Sequence, residues 1–501
     1  MADPSTRPIW SKRTSTAASP SQRVLEYCSA RDVAARPAAD ARLIEADLWT
    51  NRAHCLMLAR RGIIQPGAGR AILRGLDQLE RAWRRGSFQL DPALEDVHIN
   101  VERFVATTVG EKAAAVMHTA RSRNDQSATD VRLWLREQLL GRVDALVGLI
   151  AALSRLAARH AATVCSGWTH GQPAMPSTLG HWAAAHGWAL ARDAEAARAV
   201  WPALNRCPLG AAAAFGTSWP IDREATARLM GFDGPQINSL DCISTRWEVE
   251  ARAGQALSLM MTHLSSLAQD LIFLSTPPRA GLRLSDAHVS GSSIMPNKRN
   301  PDFAEVTRAR ALAVHGLAAN LAGVGRGLLS GYNRDTQWSK YWILDLMDEV
   351  GQAPEVFAEV LEGLGVDKAL LRRMASEGFS LAADLADHLA RTRDIPFRRA
   401  YHLVAEAVAE DEAEGWIVLD TINGLLRREK IRGTMTPEEL ADASRPEEAL
   451  KARQSQGGPS PGQVKEQARA LAASARETRH WATALRRRIE TARLKTWRTR
   501  L

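Results

Sequence analysis

The sequence lacks most features that mark membrane, secreted and metal-dependent proteins. No run of about 18 apolar residues occurs in its 501 residues, which argues against a membrane span. The cysteines, Cys28, Cys55, Cys165, Cys207 and Cys242, are odd in number and show no CxxC spacing. Buried thiols in a reducing cytosol fit that pattern better than disulfides or a zinc site. The 13 histidines include no HExxH, so a zincin is excluded. Tyrosines number only four, β-branched alternating runs are scarce, and no repeat of solenoid length is present. Residues 1–23 carry no apolar signal core; their Ser, Thr, Pro and Arg read as a loosely packed arm, with an organelle-transit segment as the other reading.

What remains is 45% hydrophobic and 24% charged, which excludes wholesale disorder and predicts a large core in about two to four domains. The net charge of +9 suggests nucleic acid until its distribution is inspected. Residues 460–501 hold 11 Lys or Arg against three Glu, so the rest of the chain is nearly neutral. The chain has a basic tail rather than a basic surface.

Ala, Leu and Arg dominate, which predicts a mostly helical chain. Leu135, Leu139, Val143, Leu146, Ile150, Leu153 and Ala157 recur at spacings of three and four, predicting one helix over 126–160. Further long helices are predicted over 177–200, 247–274, 301–328 and 338–364, separated by polar connections. The division that follows is an N-terminal helical domain with its arm at 1–115, a long-helix bundle at 116–365, a small helical domain at 366–478 and a basic extension at 479–501.

Four polar clusters fall where long helices begin or end. The first, HTARSRNDQ at 118–126, leads into the longest helix. Arg and Asn beside a helix N-terminus form an anion site, because free N–H groups and the helix dipole favour negative charge there. An N-cap flanked by solvated arginines accounts for the same residues. The second, WTHGQPAMP at 168–176, places a histidine in a Pro-bounded loop, suited to proton transfer or to a structural role. The third, GSSIMPNKRNPD at 291–302, puts Gly/Ser backbone before Lys298 and Asn300, suited to closing over an anion. The fourth, YNRDTQWSK at 332–340, offers Tyr, Gln and Lys to a carboxylate or amide. The glycines at 323–327 make no dinucleotide fingerprint, since no strand precedes them.

In this order the clusters resemble the aspartase/fumarase superfamily, most closely its argininosuccinate lyase branch. EDVHINVE at 95–102, LAADLADHL at 381–389 and GGPSPGQV at 457–464 are also similar to that branch, so the resemblance spans about 8–477. It implies an all-α, three-domain fold with a central long-helix bundle, a homotetramer with each site shared between three subunits, and no metal or organic cofactor. The implied reaction is anti β-elimination of fumarate from an N-substituted aspartate, argininosuccinate foremost, as in arginine biosynthesis. Its obstacle is taking a proton from carbon beside an ionised carboxylate, which calls for preorganised donors and a cation. The resemblance makes Ser292 the base, with its alkoxide stabilised by loop N–H groups and Lys298. It pairs His170 with Glu305, His170 protonating the leaving nitrogen directly or through water. Lys298, Asn300, Arg123, Asn124 and Thr169 would hold the succinyl carboxylates, His98 would line the pocket, and Tyr332, Gln337, Lys340 and Asp40 would face the departing amine.

The chain departs from that branch in three places. Gly171-Gln172-Pro173-Ala174-Met175 replaces a segment with an arginine and a glutamine, Ser244-Thr245-Arg246-Trp247 replaces one with two carboxylates, and Arg36 aligns with a serine. An extra arginine would suit a leaving amine with additional carboxylates, as in ethylenediamine-disuccinate lyases. Two readings compete from other classes: a catalytically silent crystallin-like protein, and phosphate binding by the basic extension, which a solvated amphipathic helix accounts for better.

Overall fold

The computed structural model describes residues 21–33 and 35–501, so the arm at 1–20 lies outside the described residues. Helices α1 (Ile44–Arg60), α2 (Pro66–Arg84) and α3 (Val97–Val109) share one continuous core with the bundle. Helix α1 is buried along most of its length, polar Asp47, Thr50, Asn51, Arg52 and His54 included.

A capping box starts helix α4 (Arg123–Arg159): Ser122 Oγ accepts from the Asn124 N–H and the Ser122 N–H donates to Asp125 Oδ1. All seven periodic residues from Leu135 to Ala157 are buried. With 37 residues, α4 is about 55 Å long. The connection that follows is an antiparallel hairpin of β1 (Val164–Thr169) and β2 (Gln172–Thr178), which the polar composition of 167–176 concealed. Thr178 then caps α5 (Leu179–Leu204) by accepting from the His181 N–H. The return is tight, since a Cβ at Gly180 would lie 2.5 Å from Ala157 O.

Helix α6 (Glu248–Ser275) runs toward the hairpin, where Phe273 meets the Trp168 ring edge-on at 4.9 Å. By length and composition α6 could cross a bilayer, contrary to the sequence expectation, yet here it packs between α5 and α7 (Asp302–Gly323). Helix α7 starts at the hairpin end, as Arg308 reaches Gln269, and finishes beside Trp247. The helix expected over 338–364 is two: α8 (Trp338–Val350) and α9 (Ala353–Glu362), broken at Gly351, whose φ is +50°.

Helices α10 (Ala382–Thr392), α11 (Phe397–Glu410) and α12 (Leu419–Arg428) bury a separate small core around Leu385, Leu389, Leu403, Ile422 and Leu426. Helix α13 (Pro461–Arg498) then returns to the bundle and packs along α4 and α5 without a break at 478. Its basic end is docked: Arg486 pairs with Asp144, Arg488 with Asp233 and Arg493 with Glu45. The Trp497 ring meets Trp49, and its Nε1 donates to Glu80 at 2.7 Å. These carboxylate partners occupy arginines that a phosphate-binding extension would need. All five cysteines are free thiols, and burial pushes Cys55, Cys165 and Cys207 up to about 12.

Candidate active site

The sequence-predicted site residues fall into two groups at opposite ends of α4. At its start, Lys340 Nζ donates to Asp40 Oδ1 at 2.6 Å, and Asp40 Oδ2 accepts from the Val97 N–H at 3.1 Å. That places Asp40 and Lys340 beside the first turn of α3, which Asp96 caps and His98 occupies. Exposed Arg123 lies 3.6 Å from Asp96 and 3.7 Å from Glu95, with Asn124 next to it in the first turn of α4. The segment is a complete N-cap with Arg123 exposed outside it, as the N-cap reading expects. Gln337 donates to Tyr341 Oη, and Arg246 lies over the half-exposed Tyr332 ring at 5.5 Å.

Behind this group sits a buried polar array that the sequence reading did not single out. His98 Nδ1 is 2.8 Å from Asp47 Oδ1 and 3.6 Å from Asp130 Oδ2. Gln126 Nε2 donates to Asp47 Oδ1, Asn51 Nδ2 to Asp47 Oδ2, and Thr50 Oγ1 to Asp130 Oδ1. Burial raises Asp47, but the hydrogen bond and charge of His98, with Arg121 and Gln126, outweigh it and hold that carboxyl low. Asp130 is raised well above the ordinary range, by burial and then by the neighbouring Asp47 charge. The Arg121 guanidinium is fully buried and makes no hydrogen bond among the described residues; Glu102 is nearest at 3.8 Å. No local signal joins residues 47, 98 and 130, although Arg121 and Gln126 lie inside the first cluster.

At the far end, Thr169 pairs with Gln172, leaving His170 and Gly171 as a two-residue turn with φ of +54° and +71°. Positive φ at both positions is the hairpin geometry that matches strand twist, and glycine at 171 permits it. The departure from the family's residue there thus has a backbone reason. His170 and Thr169 are exposed. The loop at 291–299 is pinned at its base, where Ser290 and Asn300 exchange backbone hydrogen bonds and Arg299 reaches Asp286 and Leu284 O. Within it, Ser292 Oγ accepts from the Met295 N–H at 3.0 Å and the Ile294 N–H at 3.3 Å. Asn300 Nδ2 donates to Gly291 O, and Lys298 is exposed. Glu305 is exposed in the first turn of α7, and no hydrogen bond or ion pair within the chain joins it to His170 among the described residues.

The two remaining departures have distinct settings. Arg36 pairs with Asp345 at 2.8 Å and Glu349 at 2.7 Å, so its charge is already matched by α8. Trp247 packs so closely on Gly325 that a Cβ there would meet the indole at 2.1 Å.

Comparison with known proteins agrees with this architecture. Residues 31–316 match the family described as Lyase, and 379–450 the family described as argininosuccinate lyase C-terminal. An argininosuccinate lyase of Hyphomonas neptunium is 39% identical over 93% of this chain and 98% of its own length. One from Alkalilimnicola ehrlichii is 42% identical over 75% of this chain and 80% of its own. Among solved structures, EDDS lyase in complex with formate superposes with a TM-score of 0.87 at 27% identity, over 96% of this chain and 95% of that one. Class II fumarase from Schistosoma mansoni shares the fold, with a TM-score of 0.68 at 15% identity over 81% of this chain and 90% of that one. The chain is a lyase of the aspartase/fumarase superfamily and, within it, belongs to the argininosuccinate lyase-like members.

Proposed function

We propose that this protein is a carbon–nitrogen lyase that eliminates fumarate from an N-substituted aspartate, with argininosuccinate as substrate and arginine as the other product. The observation that carries it is the Ser292 environment: two loop N–H groups already point at Oγ, where an alkoxide would gather charge. Ser292 takes the proton from the carbon beside the carboxylate, and Lys298 and Asn300 supply cation and amide to the aci-carboxylate. His170, backed by Glu305, returns a proton to the leaving nitrogen. Arg123, Asn124, Thr169 and His98 hold the succinyl carboxylates; Asp40, Lys340, Tyr332 and Gln337 face the amine. The elimination needs no cofactor in this scheme, since every proton and charge is handled by a side chain or backbone group.

The scheme requires more than one chain. Ser292 and His170 lie at the opposite end of α4, a helix about 55 Å long, from Arg123 and Lys340, too far for one succinyl adduct to touch both. We therefore assign a homotetramer with composite sites, assembled through the bundle face that leaves Leu259 and Leu312 exposed. Light scattering should give four times 54.8 kDa, and Leu312→Glu should lower both mass and activity. A reducing cytosol suits the five unpaired thiols.

Ethylenediamine-disuccinate is the second reading, favoured by the likeness to EDDS lyase and by apolar Trp247 where the branch carries a carboxylate. Arg36 no longer supports it, because its partners are on α8. Fumarate release from argininosuccinate, ethylenediamine-disuccinate and aspartate, with Ser292→Ala as control, separates the readings. Release from none of them would overturn both readings and leave another N-succinyl amine as the leaving group.

A further inference from the structure

The array behind His98 uses two carboxylates where one would hold the ring. Asp47 and Asp130 are both fully buried, and one His98 nitrogen lies within 3.6 Å of a carboxylate oxygen from each. Two ionised carboxylates this close in an interior repel strongly, so one proton between them is the economical state. The donors are distributed unequally. Asp47 receives His98, Gln126 and Asn51, all of which stabilise an anion, while Asp130 receives only Thr50 and keeps Oδ2 without a partner among the described residues. Burial without compensation puts the proton on Asp130.

We propose that Asp47 and Asp130 are positioning residues for substrate binding: an ionised Asp47 and a protonated Asp130 lock the Nδ1 edge of His98 inward, so that its Nε2–H is presented to a carboxylate of the dicarboxylate ligand. This rests on the reading that His98 lines the fumarate-releasing site. Nε2 has no hydrogen-bond partner among the described residues, and the preceding residue, Val97, donates its backbone N–H to Asp40 of the Asp40–Lys340 pair. The charged groups around the array are Asp47 on α1, Asp130 on α4, Arg121 in the segment before it, and Glu102 with His118 behind Arg121. The buried Arg121 charge helps to balance Asp47, leaving the Nε2–H of His98 to meet the incoming carboxylate. The three side chains also bring possible metal-ligand atoms within 4.8 Å of one another. Three of the four carboxylate oxygens, however, already accept from Thr50, Gln126, Asn51 or His98, and a buried guanidinium lies nearby. That donor set favours a proton over a cation.

Calorimetric titration of the full-length assembly with fumarate, across pH 5.5 to 8.5, tests the idea without knowledge of the leaving amine. Asp47→Asn should weaken fumarate about tenfold, the scale of one hydrogen bond to a charged group. Asp130→Asn imitates the protonated acid and should stay within about twofold of wild type on that scale. In a His98→Gln background, Asp47→Asn should cost nothing further, which a merely structural role would not predict. If Asp47→Asn does not assemble, Asp47→Glu with Asp130→Asn and Asp130→Leu carries the comparison: binding kept in Asn and lost in Leu supports the shared proton, and equal loss in both overturns it. Unchanged affinity and pH profile in Asp47→Asn would overturn the proposal, as would a stoichiometric divalent ion that disappears with Asp47. Wild type that binds no fumarate at any pH would instead remove the functional reading on which the proposal stands.

Discussion

At the end of the bundle where α4 begins, His98, Lys340 and Asp40 lie in a net of short hydrogen bonds backed by buried charge. Where α4 stops, His170, Lys298 and Glu305 stand exposed on a hairpin, a loop and a helix start. The first end is built before any ligand arrives, because Asp47 and Asp40 are each held by donors from two or more elements. The second holds the groups proposed for proton transfer, on segments braced at their bases by the Ser290–Asn300 bridge and by Trp168 against Phe273. Binding groups gain from preorganisation, whereas proton-transfer groups must approach a ligand that enters from solvent. The two ends are separated by the length of α4, about 55 Å, and the proposed assembly would bring them together.

The contrast can be broken most severely at the exposed end. Ser292→Ala should lower kcat by about 10²–10⁴-fold, the usual scale of a proton-transfer group, while fumarate affinity changes little. Steady-state rates beside a fumarate titration check both halves of that statement. The next largest effect concerns folding. Trp497→Ala removes the edge contact with Trp49 and the bond to Glu80, and should cost about 2–3 kcal/mol for this partly buried ring. Denaturant unfolding measures it, and phosphate-dependent binding should be unaffected, since the neighbouring arginines already face carboxylates.

Gly180→Ala probes the joint between the two ends. The added methyl meets Ala157 O and the Ala161 backbone, which cannot swing aside like a side chain. About 1–3 kcal/mol of destabilisation is expected, with His170 displaced and the rate reduced more than the stability loss alone explains. The smallest effect is a pH dependence in the buried interior. Glu250 is pushed up to about 7 by burial, with partial relief from its own backbone N–H, Arg132 and Arg246. Between its ordinary value of 4.5 and 7 the folded state holds a proton that the unfolded chain has released, so this group's contribution declines as pH rises through that window. Glu250→Gln should remove that decline, so its melting temperature should gain on wild type from pH 4.5 to 7.

Much of this was readable from local pattern. The heptad-like spacing from Leu135 to Ala157 marked the core face of α4, and the segment around Ser122 marked its cap. The four clusters were legible because each is a contiguous string at a helix end. The hairpin was hidden by its prolines, which are tolerated in a two-stranded ribbon whose outer edges are unpaired. The 338–364 helix was read as continuous because apolar periodicity resumes after Gly351. The docking of α13 is not legible locally, because its buried stripe is mostly alanine and threonine, small residues that fit close against α4 and α5 and read as a solvated helix.

The sequence alone determined most of the long helices and which short strings carry acids, bases and cations. Those properties depend on neighbours within one or two turns. Only the tertiary structure decided that Asp47, His98 and Asp130 form one array, that Arg36 is spent on α8, and that the basic end of α13 lies on the N-terminal helices. These pairings join residues from about 30 to nearly 450 positions apart and depend on how helices cross, which no local periodicity encodes.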